Sequence, residues 1–210
     1  MRGEDHRNRR GAWLSLLAGD EASSLVEFAI SLPLLIVLVV GIFDFGGAFN
    51  LKQELANAAR EGARFGASQP TNDLLNGGTP PSVNAIRGLV DSYLKAAGVN
   101  DCGLNGAPAS VAASLAWTYT TNSPANGCAG TMVLTIARGP SSASVTNSTT
   151  SCNFSVSNYG GIAVYIPCTE VTISYPYQWH FNTVIKLLVP SAVYSAVSQI
   201  QSSSYASNVN

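Results

Sequence analysis

Between Glu27 and Asp44 the chain passes through sixteen residues without a charge, and this run constrains everything after it. As an α-helix it rises about 24 Å, and about 30 Å with the flanks that extend it to residues 25–45, enough to cross a hydrocarbon core. A carboxylate within such a run is expensive, at least about 2.5 kcal/mol at the bilayer centre and less toward its edge. Glu27, at the opening of the run, therefore calls for a physical reason. Asp44, at its far end, is expected to face headgroups or water.

Arg2, Arg7, Arg9 and Arg10 precede the run, and the positive-inside tendency puts them in the cytoplasm. Glu4, Asp5, Asp20 and Glu21 weigh little under that rule. The chain beyond residue 50 is then exported. A secretory signal peptide would end in small residues of the A-x-A kind just after the apolar run. Here Asp44-Phe45-Gly46-Gly47-Ala48-Phe49 follows instead, which suits a continuing helix. A cut before the run would leave the helix on the mature protein, and the small residues Ala22, Ser23 and Ser24 sit where it would fall.

Three segments, Ala22-Ser23-Ser24-Leu25-Val26-Glu27-Phe28-Ala29, Pro33 and Ala58-Ala59-Arg60-Glu61-Gly62-Ala63-Arg64, resemble the TadE-like pseudopilins of tight-adherence (Flp-type, type IVc) pilus systems. The resemblance covers about residues 19–66, a quarter of the chain. It implies a prepilin peptidase that cuts after a small residue, with a carboxylate five residues beyond and an aromatic next. Counting back from Glu27 and Phe28 places the cut between Ala22 and Ser23. The family prefers glycine before the cut, where this chain has Ala22. A cut after Gly19 would put Ser24 at the fifth position, so the Ala22 register is taken. By the same resemblance Glu27 neutralises the new amine of an adjacent subunit. Opposite charges attract far more strongly when desolvated than in water. Ser23 would carry its own amine about one turn away, so the partner is another chain. The competing reading leaves Glu27 solvated at the headgroup boundary.

Composition bounds the remainder. With 210 residues there is room for an exported domain of about 140, large enough for a core of its own. A net charge of −1 gives no footprint for nucleic acid. From Cys102 to the end only Arg138, Glu170 and Lys186 are charged, amid abundant Ser, Thr, Asn and Gly, which fits a secreted β-rich domain. All four cysteines, Cys102, Cys128, Cys152 and Cys168, fall on the exported side and read as two disulfides with three possible pairings. Sequential pairing, Cys102–Cys128 and Cys152–Cys168, is favoured because each closes a Gly/Ser/Asn-rich loop. Each would contribute roughly 3 kcal/mol. No C-x-x-C spacing exists and His6 and His180 are the only imidazoles, so no metal or other cofactor is expected.

The order of segments follows from periodicity. Residues 1–22 form a leader, 23–69 a transmembrane and extended amphipathic helix, and 70–210 the exported disulfide-containing domain. The helix is expected over 24–67, bent at Pro33 or Gly46-Gly47, and ended by Pro70. After Asn50 it becomes amphipathic, with Leu51, Leu55, Ala58, Ala59, Gly62, Phe65 and Gly66 on one side. Gly62 and Gly66 have G-x-x-x-G spacing with Ala59 and Ala63 beside them. That surface suits either a partner helix or the chain's own β domain. Arg60 and Arg64, one turn apart, are either a solvated face or partners for another subunit. Val83, Ile86, Leu89, Val90 and Leu94 predict a second helix with Gly98 as C-cap. Strands are expected at 115–120, 132–136, 162–166 and 171–177, and a last strand with a short helix within 184–200. Residues 141–150 read as an exposed loop. The fold class is α+β: a long pilin-like transmembrane helix, then a short helix and a small antiparallel sheet.

Catalytic patterns are weak. Ser92 and Lys95 fit S-x-x-K, but the companion S-D-N and K-T-G motifs are missing. No H-E-x-x-H, Walker loop or G-x-S-x-G occurs, and Glu170 is the sole carboxylate after Asp101 to support a dyad through His180. No enzyme is expected. The sequence reads as a minor pseudopilin, a single-pass protein of the bacterial inner membrane serving tight-adherence pilus assembly. The resemblance implies as partners other pilin or pseudopilin subunits, a prepilin peptidase and platform proteins, alongside membrane lipid. The alternative is a signal-anchored extracytoplasmic binding or adhesin-like protein.

Overall fold

In the computed structural model residues 20–74, 78–113, 115–121, 126–139, 155–159, 162–165, 168–181, 186 and 196–208 are described. The leader up to residue 19, the 141–150 loop, Cys152 and most of 182–195 lie outside them. Helix α1 runs Asp20–Ser68 without a break at Pro33, and α2 runs Pro81–Ala96. The strands are β1 (Ala109–Ala113), β2 (Ala116–Thr120), β3 (Val133–Gly139), β4 (Ser155–Tyr159), β5 (Ile162–Tyr165), β6 (Cys168–Gln178) and β7 (Val197–Ser207). Five of them form an antiparallel sheet in the order β1-β2-β3-β6-β7, while β4 and β5 pair as a separate ribbon. The expected α+β architecture, with a long apolar helix followed by a helix and a small antiparallel sheet, is the one observed.

Two compact units divide the chain: Met1–Phe45 with His180–Val193, and Gly46–Trp179 with Tyr194–Asn210. In the first, the apolar part of α1 turns its large side chains outward; Leu25, Ile30, Leu34 and Phe43 are each at least 70% exposed. A helix this long and apolar, with none of its most apolar window buried, is a candidate membrane span.

The second unit holds the core. Its part of α1 contributes Leu55, Ala58, Ala59 and Ala63, and α2 contributes Val83, Ile86, Val90 and Leu94. The inner face of the sheet answers with Trp117, Tyr119, Leu134, Ile136, Val171, Ile173 and Tyr175. These alternate with Thr118, Thr135, Thr172 and Ser174, as the two-residue period of a half-buried strand requires. Each large apolar side chain removed from water contributes about 1.5–3 kcal/mol. Helix α2 begins with Pro81 at its first turn, where a missing N–H costs nothing. At its end the Gly98 N–H donates to Lys95 O and the Val99 N–H to Leu94 O, with Gly98 at φ +73. This paired closure is a Schellman motif and accounts for the glycine.

Strands β2, β3, β5 and β6 fall where alternation predicts them; β1 and β4 are not among the expected strands, and the last strand, expected within 184–200, lies further on as β7. The clearest difference is β7. Its sequence, VSQIQSSSYAS, has little β-propensity, yet it pairs with β6 along all eleven residues. Cross-strand pairing and half-burial of one face decide a strand here, and a serine-rich sequence does not reveal them.

Candidate assembly surface

The apolar helix of the first unit and the core of the second each present features of interest. Glu27 projects from α1 into an exposed, apolar neighbourhood with Phe28 62% exposed. The Ser31 hydroxyl donates to the Glu27 carbonyl at 2.9 Å, which satisfies backbone and leaves the carboxylate alone. Among the described residues Glu27 makes no ion pair. Ser23 is likewise exposed, and Ala22 lies within α1, its side chain outside the described set. Among the described residues, then, this carboxylate on an apolar surface has no compensating cation.

Asp44 departs from expectation. It is 4% exposed, with Oδ2 accepting the Phe181 N–H at 2.7 Å and Oδ1 lying 3.0 Å from His180 Nδ1. Instead of facing water it clasps a chain segment 137 residues away. A carboxylate buried with two donors escapes the penalty of an unpaired charge, and only the tertiary fold brings those donors to it.

In the second unit the small residues of α1 have an internal use. A Cβ on Gly62 would lie 2.9 Å from Val90 Cγ2, and one on Gly66 would run into Thr169 Cγ2. Ala59 and Ala63 are buried in the same contact. The G-x-x-x-G surface thus lets α1 approach its own sheet and α2. Arg60 stands exposed, and Arg64, 82% exposed, sits 3.6 Å from Glu61 in an i,i+3 pair. Such a pair contributes a few tenths of a kcal/mol, so these cations remain available at the surface.

Cys102 and Cys128 are bonded, as sequential pairing predicts, and their Cα atoms are 5.6 Å apart. Cys168 is also in a disulfide. Its expected partner, Cys152, is outside the described residues. Ser92 donates to Gly88 O at 2.8 Å, while Lys95 pairs with Asp91 at 2.8 Å and Asp101 at 3.4 Å. The two residues of the S-x-x-K pattern are engaged with different partners.

Three features went unread in the sequence. Arg138 is 1% exposed and fans onto the carbonyls of Gly66, Gln69 and Pro70 at 2.9, 3.0 and 3.2 Å, with Ser82 and Thr169 completing its shell. Asp73 in turn accepts from Ser82 N–H and Oγ. Glu170, 6% exposed, has an Oε2 atom with no hydrogen-bond partner, and burial raises its pKa. The Asp44 clasp is the third. A hint was present for the first two: a charged residue within an alternating strand of a nearly charge-free domain.

Residues 22–64 match the model of the family described as TadE-like protein. No curated protein and no solved structure matches the chain. The match begins at the proposed processing residue Ala22, contains Glu27 and ends at Arg64.

Proposed function

We propose that the chain is a minor pseudopilin that serves assembly of a tight-adherence pilus or a related secretion system. The TadE-like family implies involvement in that machinery at large, and residues 22–64 carry the likeness. The observation supporting the finer role is Glu27, an exposed acid on an apolar helix with no cation of its own among the described residues. Within a membrane such an acid is retained where a neighbouring molecule compensates it.

On this reading α1 holds the protein in the bacterial inner membrane, with residues 1–22 in the cytoplasm and the domain after residue 70 exported. A prepilin peptidase releases Ser23 as the mature N-terminus, and its amine on one subunit meets Glu27 of the next. The protein acts by contact with pilin or pseudopilin subunits, platform proteins and lipid. Catalysis, a metal and a cofactor form no part of the reading.

Sequencing of the mature amino end combined with Glu27→Ala tests it. The expected results are a Ser23 terminus and loss of pilus assembly while the variant remains in the membrane. Unchanged assembly with Glu27→Ala would remove the role. An intact Met1 would favour the signal-anchored binding protein.

A further inference from the structure

Asp44 is the first charge after the sixteen uncharged residues, so it marks the level at which a membrane-spanning α1 leaves the hydrocarbon. Its hydrogen bond from the Phe181 N–H is 2.7 Å and its contact with the His180 ring is 3.0 Å. Contacts of that length fix the depth of residues 180 and 181 to the depth of Asp44. Phe181 and Lys186 are both in helical conformation, and the Asp44 carboxylate accepts the N–H of the first of them. Phe181 is half-buried and Lys186 is exposed.

The chemistry of the segment matches that depth. Residues 181–189 read FNTVIKLLV, six apolar residues of nine with one cation and no acid. Nine residues are too few to cross a bilayer, since a spanning helix needs about 20. A short apolar stretch with a lysine suits the boundary of acyl chains and headgroups, where the apolar side chains sink and the ammonium reaches phosphate. Lys186 is also the sole lysine or arginine after Arg138 in the sequence, so this part of the exported chain has one cation, placed beside its most apolar stretch.

We propose that the segment beginning at His180-Phe181 is a second contact with the bilayer, pinned by Asp44 to the point where α1 emerges. Its occupant is the phospholipid surface of the exported leaflet, with Phe181 at the acyl boundary and Lys186 on anionic headgroups. The protein thereby stands on its membrane at two points. The inference rests on α1 spanning the bilayer, so its test carries an internal reference for that reading.

Spin labels on single introduced cysteines report depth through the ratio of oxygen to nickel-chelate collisions. Among the described residues no native cysteine is a free thiol that would compete. The full chain is placed in vesicles of phosphatidylethanolamine and phosphatidylglycerol, with labels at Phe181→Cys, Lys186→Cys, Leu34→Cys within the apolar run, and Asn105→Cys on the exposed 3-10 turn Leu104–Gly106. The expected ratios at 181 and 186 lie between those at 34 and 105. Adding Asp44→Ala shifts 181 toward the value at 105 while 34 is unmoved. A label at 181 that matches 105 while 34 is deep overturns the inference and leaves the spanning helix intact. A label at 34 that matches water overturns both. A label at 181 shielded from oxygen and nickel alike indicates a protein cover in place of lipid, and also overturns it.

Discussion

Arg138 on β3 donates to the Gly66 carbonyl at the last turn of α1, over 2.9 Å, so a cation from the sheet terminates the long helix. The final carbonyls of a helix have no partner within it, and they carry the negative end of its dipole. A fully buried guanidinium that also reaches Gln69 O and Pro70 O answers both needs. Arg138→Met should cost at least about 3 kcal/mol, because several buried acceptors lose their donor at once. Arg138→Lys should recover part of that loss, since an ammonium cannot match the planar fork. Thermal unfolding of the detergent-solubilised chain, followed by circular dichroism, gives both values. Equal stability of Arg138→Met and the parent would refute the capping role.

Close approach of α1 to the sheet depends on glycine at one level and not at another. An added Cβ at Gly66 meets Thr169 Cγ2 and Ile86 Cδ1, whereas one at Gly46 has nothing within 4 Å. Gly66→Ala should therefore destabilise by about 1–3 kcal/mol through overpacking. Gly46→Ala, in the same helix, should be neutral or stabilising by about 0.5–1 kcal/mol, since alanine loses less backbone freedom. The opposite signs are what the unfolding experiment must show. A matching loss at both positions would mean that helix propensity and not packing governs.

Much of this architecture was readable because strong periodicities carry it. The uncharged run announced α1, the i, i+3, i+4 spacing of Val83, Ile86, Val90 and Leu94 announced α2, and the alternation of Val171, Ile173 and Tyr175 announced β6. What stayed hidden depends on partners remote in sequence. Asp44 looks like a boundary charge until Phe181 is brought to it, and Arg138 looks like a stray surface cation until the end of α1 arrives. Strand β7 is hidden for the same reason, because β6 supplies what its serines lack. Glu27 is the reverse case. Its position was plain from the sequence, and the fold adds only that no described neighbour engages it.

The Cys102–Cys128 bond closes a separation of 26 residues, and both cysteines belong to or pack against the core. Constraint of the unfolded chain by a loop of that size is worth about 3 kcal/mol. Cys102→Ala with Cys128→Ala should lower stability by that amount, and alkylation of the unreduced parent should label no thiol. Full stability of the double variant would place the bond outside the stabilising framework.

Glu170 offers a test of the domain's electrostatics with a definite sign. It lies on β6 between Ala137 of β3 and Tyr205 of β7, buried, with Oε2 unpartnered. Desolvation raises its pKa, so the folded state holds the proton more tightly than the unfolded chain. Below the unfolded value both states are protonated and the carboxyl costs little. As pH rises from there through the folded value, the unfolded chain releases its proton first and stability falls. At neutral pH the folded state carries either a buried charge or a proton held against solution. Glu170→Gln removes that burden while keeping the shape. It should stabilise by about 1–3 kcal/mol near pH 7.5, with the gain fading toward about pH 3.5. Unfolding midpoints of parent and variant measured across that range provide the readout. A variant less stable than the parent at neutral pH, or a gain that does not shrink on acidification, would show that Glu170 is paired in solution and not stranded.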